Sequence, residues 1–322
     1  MTTANPAMHT SGFEGRPVRG WRLVVEGLTV VVLEQPRLWL MGLAGFLARG
    51  GVIVFALPIV VLPSAVGIAN FIGPTSVTAA GPAARLVALF GVAAVGAAAW
   101  LTLAVVVGSV VDRAMIGAHL QAMGSSVSEG ASGRLVDLVV IRLALLMPLA
   151  FAAAWASGRV VEAAYQELIL PSNLSTALVV RVLLRAADAV AVLGVIWVVC
   201  ETVAAMAVRR SVIDGSGLLA ALRGALRHLL RHPASTLGTT LLSVLVSVLG
   251  LVPVAFALSA SWSALRTALL EDGRPPTVVL ALVGFLAVWL GGLLVAGVLA
   301  AWRSAVWTGE MARFDIARSG DR

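Results

Sequence analysis

The stretch Thr277–Trp302 reads TVVLALVGFLAVWLGGLLVAGVLAAW and contains no charged residue. A helix needs about 20 mostly apolar residues to cross the hydrocarbon core of a bilayer, and this stretch is longer than that. Five other stretches are similarly apolar, at roughly 39–62, 86–111, 138–157, 187–208 and 236–260. The sequence therefore predicts an all-α integral membrane protein with about six transmembrane helices.

The composition of the whole chain agrees with a lipid environment. Hydrophobic residues make up 60% of the 322 residues, charged residues make up 12%, and the mean hydropathy is +0.99. Water-soluble domains of ordinary composition do not reach these values. Every basic residue except histidine is arginine, which excludes a Walker phosphate loop and a Schiff-base lysine. Arginine without lysine, beside abundant Ala, Gly and Val, indicates a GC-rich bacterial genome.

Arginines are distributed unevenly between the two sides of the predicted helices. More of them lie on the side that holds both termini than on the other side. Because basic residues are retained on the cytoplasmic side, both termini are expected in the cytoplasm and the protein in the bacterial plasma (inner) membrane. Residues 1–35 lack the apolar core and cleavage site of a secretory signal, so no processing is expected. The single cysteine, Cys200, excludes an internal disulfide.

The predicted domain organisation is simple. One six-helix membrane domain, residues 21–309, lies between a disordered cytoplasmic N-terminus, residues 1–20, and a cytoplasmic C-terminal tail, residues 310–322. A loop rich in Gly, Pro, Ser and Thr is expected at Pro63–Pro82. The fourth helix is expected to begin beyond the membrane, at about Leu174.

Similar segments recur along the chain. The exits of the second, fourth and sixth spans share an Arg-to-Gly pattern at Arg113–Gly117, Arg210–Gly215 and Arg303–Gly309. At the entries to the first and fifth spans, one constant offset aligns Gly27 with Gly224 and Pro36 with Pro233. These matches favour three helical hairpins as repeats, at approximately 21–117, 118–215 and 216–309. A chance match between segments of biased composition is the alternative.

The segment Ser216–His232 has a clear amphipathic pattern. A leucine row and an arginine row recur every four residues, formed by Leu218, Leu222, Leu226 and Leu230 and by Arg223, Arg227 and Arg231. At 100° per residue these rows occupy separate faces of a helix. The pattern predicts an interfacial helix on the cytoplasmic leaflet whose arginines contact anionic lipid headgroups. A plain connector that obeys the positive-inside rule has the same geometry.

Three charged residues, Arg49, Arg142 and Glu201, lie inside the predicted spans. A lone arginine at the centre of a membrane helix costs roughly 2.5–3.5 kcal/mol, so contact with another helix is favoured over contact with lipid. Arg142 and Glu201 lie at similar predicted depths and form a candidate ion pair. Alternatively, Arg142 extends to the interface and Glu201 is protonated.

No motif in the sequence indicates catalysis, a cofactor or a metal. His228 and His232 are four residues apart, a spacing that can bind zinc, but arginine neighbours repel a cation and no glutamate lies between the histidines. A nucleophile elbow, a paired intramembrane aspartate and a Cys-His constellation are all absent from the sequence. We therefore expect a protein that is not an enzyme and that binds no nucleic acid.

The layout resembles that of poorly characterised bacterial six-span membrane proteins. These include the membrane-anchor domain found with glycerophosphodiester phosphodiesterases. The resemblance rests on the three-hairpin layout, the Arg-to-Gly exits and the segment ALRGALRHLLRHP at 221–233. Because the chain has no room for the soluble phosphodiesterase barrel, the resemblance does not imply that activity.

The sequence leaves two main functions open. The first is a non-enzymatic subunit or organiser of a membrane complex, with the bilayer and other membrane proteins as partners. The alternative is a transporter or permease subunit for a small or lipidic solute. A lipid enzyme would require catalytic residues from a partner. Intramembrane charges that converge on a water-filled cavity would favour transport, whereas a solid apolar bundle would favour the organiser.

The six-span topology predicts a labelling pattern in intact membranes. Native Cys200 lies in an apolar span, so a membrane-impermeant maleimide should not label it from either side. In a Cys200→Ser background, single cysteines at Ser76 and Ser126 should be labelled from opposite sides. Labelling of both positions from the same side would contradict this topology.

Overall fold

The computed structural model describes residues 21–56, 59, 84–123, 134–170, 172–173 and 175–319, and the regular elements within them are helices. In chain order they are α1 (Trp21–Glu34), α2 (Pro36–Phe46), α3 (Val52–Ala56), α4 (Ala84–Ala122), α5 (Leu135–Ile169), α6 (Leu178–Arg185), α7 (Ala187–Asp214), α8 (Leu218–Arg231), α9 (Pro233–Thr267) and α10 (Pro275–Ser319). Single π-helical turns follow α2 at Leu47–Gly51 and α9 at Ala268–Asp272. The predicted N-terminal segment 1–20 and the predicted loop Pro63–Pro82 lie outside the described residues.

Six helical segments are long and apolar enough to cross a membrane. They are Pro36–Ala56, Gly91–Ala122, Leu135–Ile169, Ala187–Asp214, Pro233–Glu271 and Pro275–Ala312. The prediction of an all-α, six-span membrane protein is confirmed at this level. Several segments are much longer than the bilayer requires. At 1.5 Å per residue, the 35 residues of α5 and the 45 residues of α10 exceed the roughly 30 Å hydrocarbon core.

The expectation that the fourth helix begins at about Leu174 is wrong. The short helix α6 ends at Arg185, and Ala186 has a non-helical backbone with φ −100° and ψ 21° before α7 begins. Arg181 and Arg185 both bind the carboxylate of Glu167 at the end of α5. These ion pairs hold α6 against α5. The backbone therefore turns at Ala186 before α7 begins.

The connections that follow α1 and α8 are alike. One residue after the end of each helix, the next helix begins at a proline, Pro36 or Pro233. Proline is well suited to the first position of a helix because that position needs no N–H donor. The three Arg-to-Gly exits do not share one backbone conformation. Gly215 ends α7 with φ 63°, whereas Gly117 and Gly309 lie inside helices.

The chain divides into two compact units. The first includes described residues from 21–35, 113–240 and 302–319. Its core contains large side chains from four helices, among them Ile116, Ile141, Met206 and Trp307. Alanines at the helix contacts are completely buried, including Ala207 of α7 and Ala221 of α8. Small side chains at these positions allow the helices to approach closely, as in other membrane bundles.

The second unit includes described residues from 36–112 and 241–301. Phe55 lies in its core and makes edge-to-face contacts with Phe46 and Trp289, with ring centroids 6.2 and 6.5 Å apart. The backbones of α2 and α10 touch at Gly42 and Gly297. A Cβ atom on Gly42 would overlap the carbonyl oxygen of Gly297, and one on Gly297 would lie 2.5 Å from the carbonyl oxygen of Trp39.

This close approach predicts that Gly42→Ala destabilises the protein. The added methyl group has no space between α2 and α10, and overpacking of this kind typically costs 1–3 kcal/mol. The matched control is Gly284→Ala in α10, where an added Cβ meets no atom within 4 Å. Thermal unfolding in mild detergent should show a lower Tm for Gly42→Ala and an unchanged or higher Tm for the control. Equal Tm values for the two variants would contradict the close contact.

Candidate functional site

The interior of the first unit contains a buried cation, Arg209 of α7. Its Nη1 donates to the carbonyl oxygen of Ala205 at 2.8 Å. Across the helix contact, Nη2 donates to the carbonyl oxygen of Ser304 at 3.1 Å and Nε donates to Oγ1 of Thr308 at 3.3 Å. The guanidinium therefore links α7 to α10 through oxygen acceptors. Arg209 directly follows the predicted fourth span, 187–208, and the sequence did not indicate this role.

His119 of α4 is completely buried in the same unit. It lies close enough to Arg209 to interact with its charge. Neither ring nitrogen has a hydrogen-bond partner among the described residues, and the same is true of Nε1 of Trp307. A buried polar group without a partner costs roughly 1–3 kcal/mol. Buried Arg209 and His119 make the interior of this unit partly polar. The sequence did not indicate this, because His119 has no carboxylate or cysteine at ligand spacing.

The structure places Glu201 of α7 against Arg303 of α10. Nη2 of Arg303 donates to Oε1 of Glu201 at 2.7 Å, and both side chains are about 30% exposed or less. Arg303 directly follows the predicted sixth span, Thr277–Trp302, so the sequence did not indicate this pair. Arg142 is half-buried on α5, which packs against α7. The predicted pairing of Arg142 with Glu201 stays a prediction.

Arg49 forms an ion pair with Asp112 of α4, within the second unit. It lies in the π-helical turn between α2 and α3, where Gly50 has φ 95°, a conformation that favours glycine. The guanidinium passes Gly108, where an added Cβ would lie 3.5 Å from Nε of Arg49. The carboxylate at Asp112 was missed in the sequence because it directly follows the predicted end of the second span.

A buried carboxylate fixes the connection between α5 and α6. Glu167 is 2% exposed and accepts hydrogen bonds from Arg181 at 3.2 Å and from Arg185 at 2.9 Å. The backbone N–H and the hydroxyl of Ser172 also donate to it, each at 3.0 Å. Two cations and two further donors satisfy this carboxylate, so it stabilises the turn between the helices.

Helix α8 has three distinct faces. Ala221, Ala225 and His228 are buried against the core of the first unit, and Leu218, Leu222 and Leu229 pack partly against it. The remaining leucines, Leu219, Leu226 and Leu230, are 64%, 49% and 73% exposed. The candidate headgroup ligands Arg223, Arg227 and Arg231 are all exposed. The predicted leucine row is therefore divided between a protein contact and an exposed apolar face.

The two histidines of this segment differ in burial. His228 is buried, His232 is exposed, and their ring centroids are 5.2 Å apart. Within the part of the chain that the structure describes, no three His, Cys, Asp or Glu side chains are grouped so that they could hold a metal ion.

Comparison of the chain with protein-family models, with curated proteins and with solved structures gives no match. The resemblance to bacterial six-span membrane proteins therefore stays an expectation. Function is inferred from the arrangement of charges and exposed helix faces.

The pairing of Glu201 with Arg303 predicts a charge-reversal result. Glu201→Arg and Arg303→Glu should each lower the yield of folded protein in mild detergent, because each replaces a hydrogen-bonded ion pair of 2.7 Å with two like charges. The double variant should recover more than half of the loss. Glu201→Arg with Arg142→Glu is the comparison, and it reports on the predicted Arg142 contact. Purely additive losses in the Arg303 series would contradict the pair.

Proposed function

We propose that this protein is a non-enzymatic subunit or organiser of a membrane complex. The observation that supports this most directly is the surface of α4. Every residue from Gly91 to Leu103 is exposed, although this segment lies in a helix long and apolar enough to cross the membrane. Most of these residues are Gly or Ala. An added Cβ on Gly91 or Gly96 would meet no atom within 4 Å.

Small residues on a membrane helix favour contact with another helix over contact with lipid. They let two helix backbones approach closely, and association in the membrane depends on such packing because lipid tails are as apolar as leucine. Elsewhere the exposed membrane surface includes large residues such as Phe256, Leu249 and Leu280, which are 74%, 65% and 74% exposed. The α4 surface, where seven of the 13 residues from Gly91 to Leu103 are Gly or Ala, suits a helix of a partner subunit.

The arrangement of charges also supports an organiser. Ion pairs of the described residues lie in separate groups, among them Arg49 with Asp112, Arg303 with Glu201, Glu167 with Arg181 and Arg185, and Arg159 with Glu162 and Asp188. In each group the charges bind one another within the protein. A transport path instead concentrates ionisable groups along one polar route.

One observation favours the alternative, a transporter or permease subunit for a small or lipidic solute. The first membrane segment is broken at Leu47–Gly51, and the ion pair of Arg49 with Asp112 lies at that break. Interrupted helices with charged residues form the substrate sites of many secondary transporters.

The proposal places the protein in the bacterial plasma membrane with both termini in the cytoplasm, as the arginine distribution indicates. Helix α8 would then lie on the cytoplasmic leaflet. Its exposed leucines beside exposed arginines are typical of an interfacial helix that contacts anionic lipid. The proline-initiated helices that follow α1 and α8 support the proposed repeat of helical hairpins.

The proposed partner surface predicts that Gly96→Leu dissociates the complex. In nanodiscs extracted directly from native membranes, the wild-type chain should be found in particles whose protein mass exceeds the 33.2 kDa of one chain. A leucine at position 96 prevents close helix contact, and a loss of a few kcal/mol weakens association more than tenfold. The matched control is Gly284→Leu, at another exposed glycine with no atom within 4 Å of an added Cβ.

One outcome would contradict the organiser function, and a second would contradict its proposed partner surface. The first is a wild-type protein mass of 33.2 kDa in native nanodiscs, which would mean that the chain is alone in the membrane. The second is an unchanged complex in Gly96→Leu, which would exclude α4 as the partner surface. Solute flux through liposomes that contain the purified monomer would support the transporter instead.

A further inference from the structure

The side chain of Arg210, a residue of α7, lies against the backbone of α8 at Gly224. A Cβ atom on Gly224 would overlap Nη1 of Arg210 and would lie 3.2 Å from both its Cδ and its Cζ. The guanidinium can therefore contact the backbone of α8 only because residue 224 has no side chain. Any larger side chain at position 224 would displace it. The sequence pattern of α8 gives no indication that Arg210 of α7 lies beside its own three arginines.

The guanidinium of Arg210 extends the arginine row of α8. At 100° per residue, Arg227 lies about 60° and Arg231 about 20° from Gly224 around the helix. Helical side chains tilt toward the N-terminus, so these two arginines reach back toward the level of Gly224. Arg223 lies next to Gly224 in the chain. Four cationic side chains are thus directed toward one side of one helix.

These four arginines differ from the paired arginines of the protein. None of Arg210, Arg223, Arg227 and Arg231 forms an ion pair with a carboxylate of the described residues, Asp214 at the end of α7 included. Helix α8 itself contains no Asp or Glu. The Nε atom of Arg210 is buried and has no hydrogen-bond partner within the described part of the chain. Like charges at this density repel one another, and an anion would relieve the repulsion.

The neighbouring face of α8 indicates which kind of anion fits. The exposed leucines Leu219, Leu226 and Leu230 follow the arginine row directly around the helix. A ligand that satisfies both faces carries a phosphate beside hydrocarbon chains. We propose that Arg210, Arg223, Arg227 and Arg231 bind the phosphate of an anionic lipid, whose acyl chains lie against these leucines. This inference rests on the membrane-surface location of α8 in the proposed function.

The test measures lipid binding to the full-length protein in mild detergent by native mass spectrometry, with phosphatidylglycerol as the probe. Gly224→Leu leaves the net charge unchanged but displaces Arg210, so it should weaken phosphatidylglycerol binding about tenfold, the loss expected for one charge-assisted hydrogen bond. Arg210→Gln should weaken it similarly. The double variant should bind phosphatidylglycerol with about the same affinity as the weaker-binding single variant, because both changes remove the same contact. Gly238→Leu, at an exposed glycine with open space, is the matched control and should bind like the wild type.

Wild-type affinity in both Gly224→Leu and Arg210→Gln would overturn the proposal. If Gly224→Leu does not fold, Arg210→Gln alone decides. Equal affinity of the wild type for phosphatidylcholine would show that the arginines do not select an anion. Displacement of phosphatidylglycerol by an equal concentration of inorganic phosphate would assign the site to free phosphate and overturn the lipid assignment. Lipid binding is scored on the 33.2 kDa monomer, so a failure to find a partner complex leaves this result unaffected.

Discussion

The hydrocarbon core of the bilayer offers no hydrogen-bond donor or acceptor, and most of this structure follows from that constraint. Every backbone polar group in the core must bind within the protein, so a chain of this hydropathy forms long helices. The exception at Leu47–Gly51 is informative. There the helix is interrupted at Gly50, and the side chain at the interruption is Arg49, whose charge is bound by Asp112. The charged side chain at this interruption of the helix is therefore neutralised within the protein.

The same constraint governs the polar side chains. Arg209 is buried between α7 and α10 and donates to a carbonyl oxygen of α7 and to a carbonyl and a hydroxyl oxygen of α10. Thr202 of α7 and Thr240 of α9 are 2.9 Å apart through their hydroxyls. These contacts fix the relative rotation of neighbouring helices, which apolar packing alone specifies weakly when lipid and core have similar polarity. The polar interior of the first unit therefore helps to give its helices one arrangement.

Helix α8 shows how one segment meets three environments. Its alanines face the core, its exposed leucines are suited to acyl chains, and its arginines are suited to the polar surface. Gly224 adds a fourth feature, because it lets Arg210 of α7 join the arginines of α8. Neutralised charges elsewhere in the protein hold helices together. The arginines of α8 form no ion pair with a carboxylate of the described residues, and we propose that they bind a ligand outside the chain.

The sequence by itself determined the six membrane segments, because the cost of placing a residue in hydrocarbon is local and adds along a helix. It placed the fifth and sixth spans at 236–260 and 277–302, and the structure begins α9 and α10 slightly earlier, at Pro233 and Pro275. Only the tertiary structure decided which charges meet. Glu201 and Arg303 are 102 residues apart, and Arg49 and Asp112 are 63 apart. Such contacts depend on how each helix is rotated and which helix is its neighbour, and hydropathy does not encode either property. The packing of the helices likewise decides that Arg209 and His119 are buried. It also places Arg210 over Gly224.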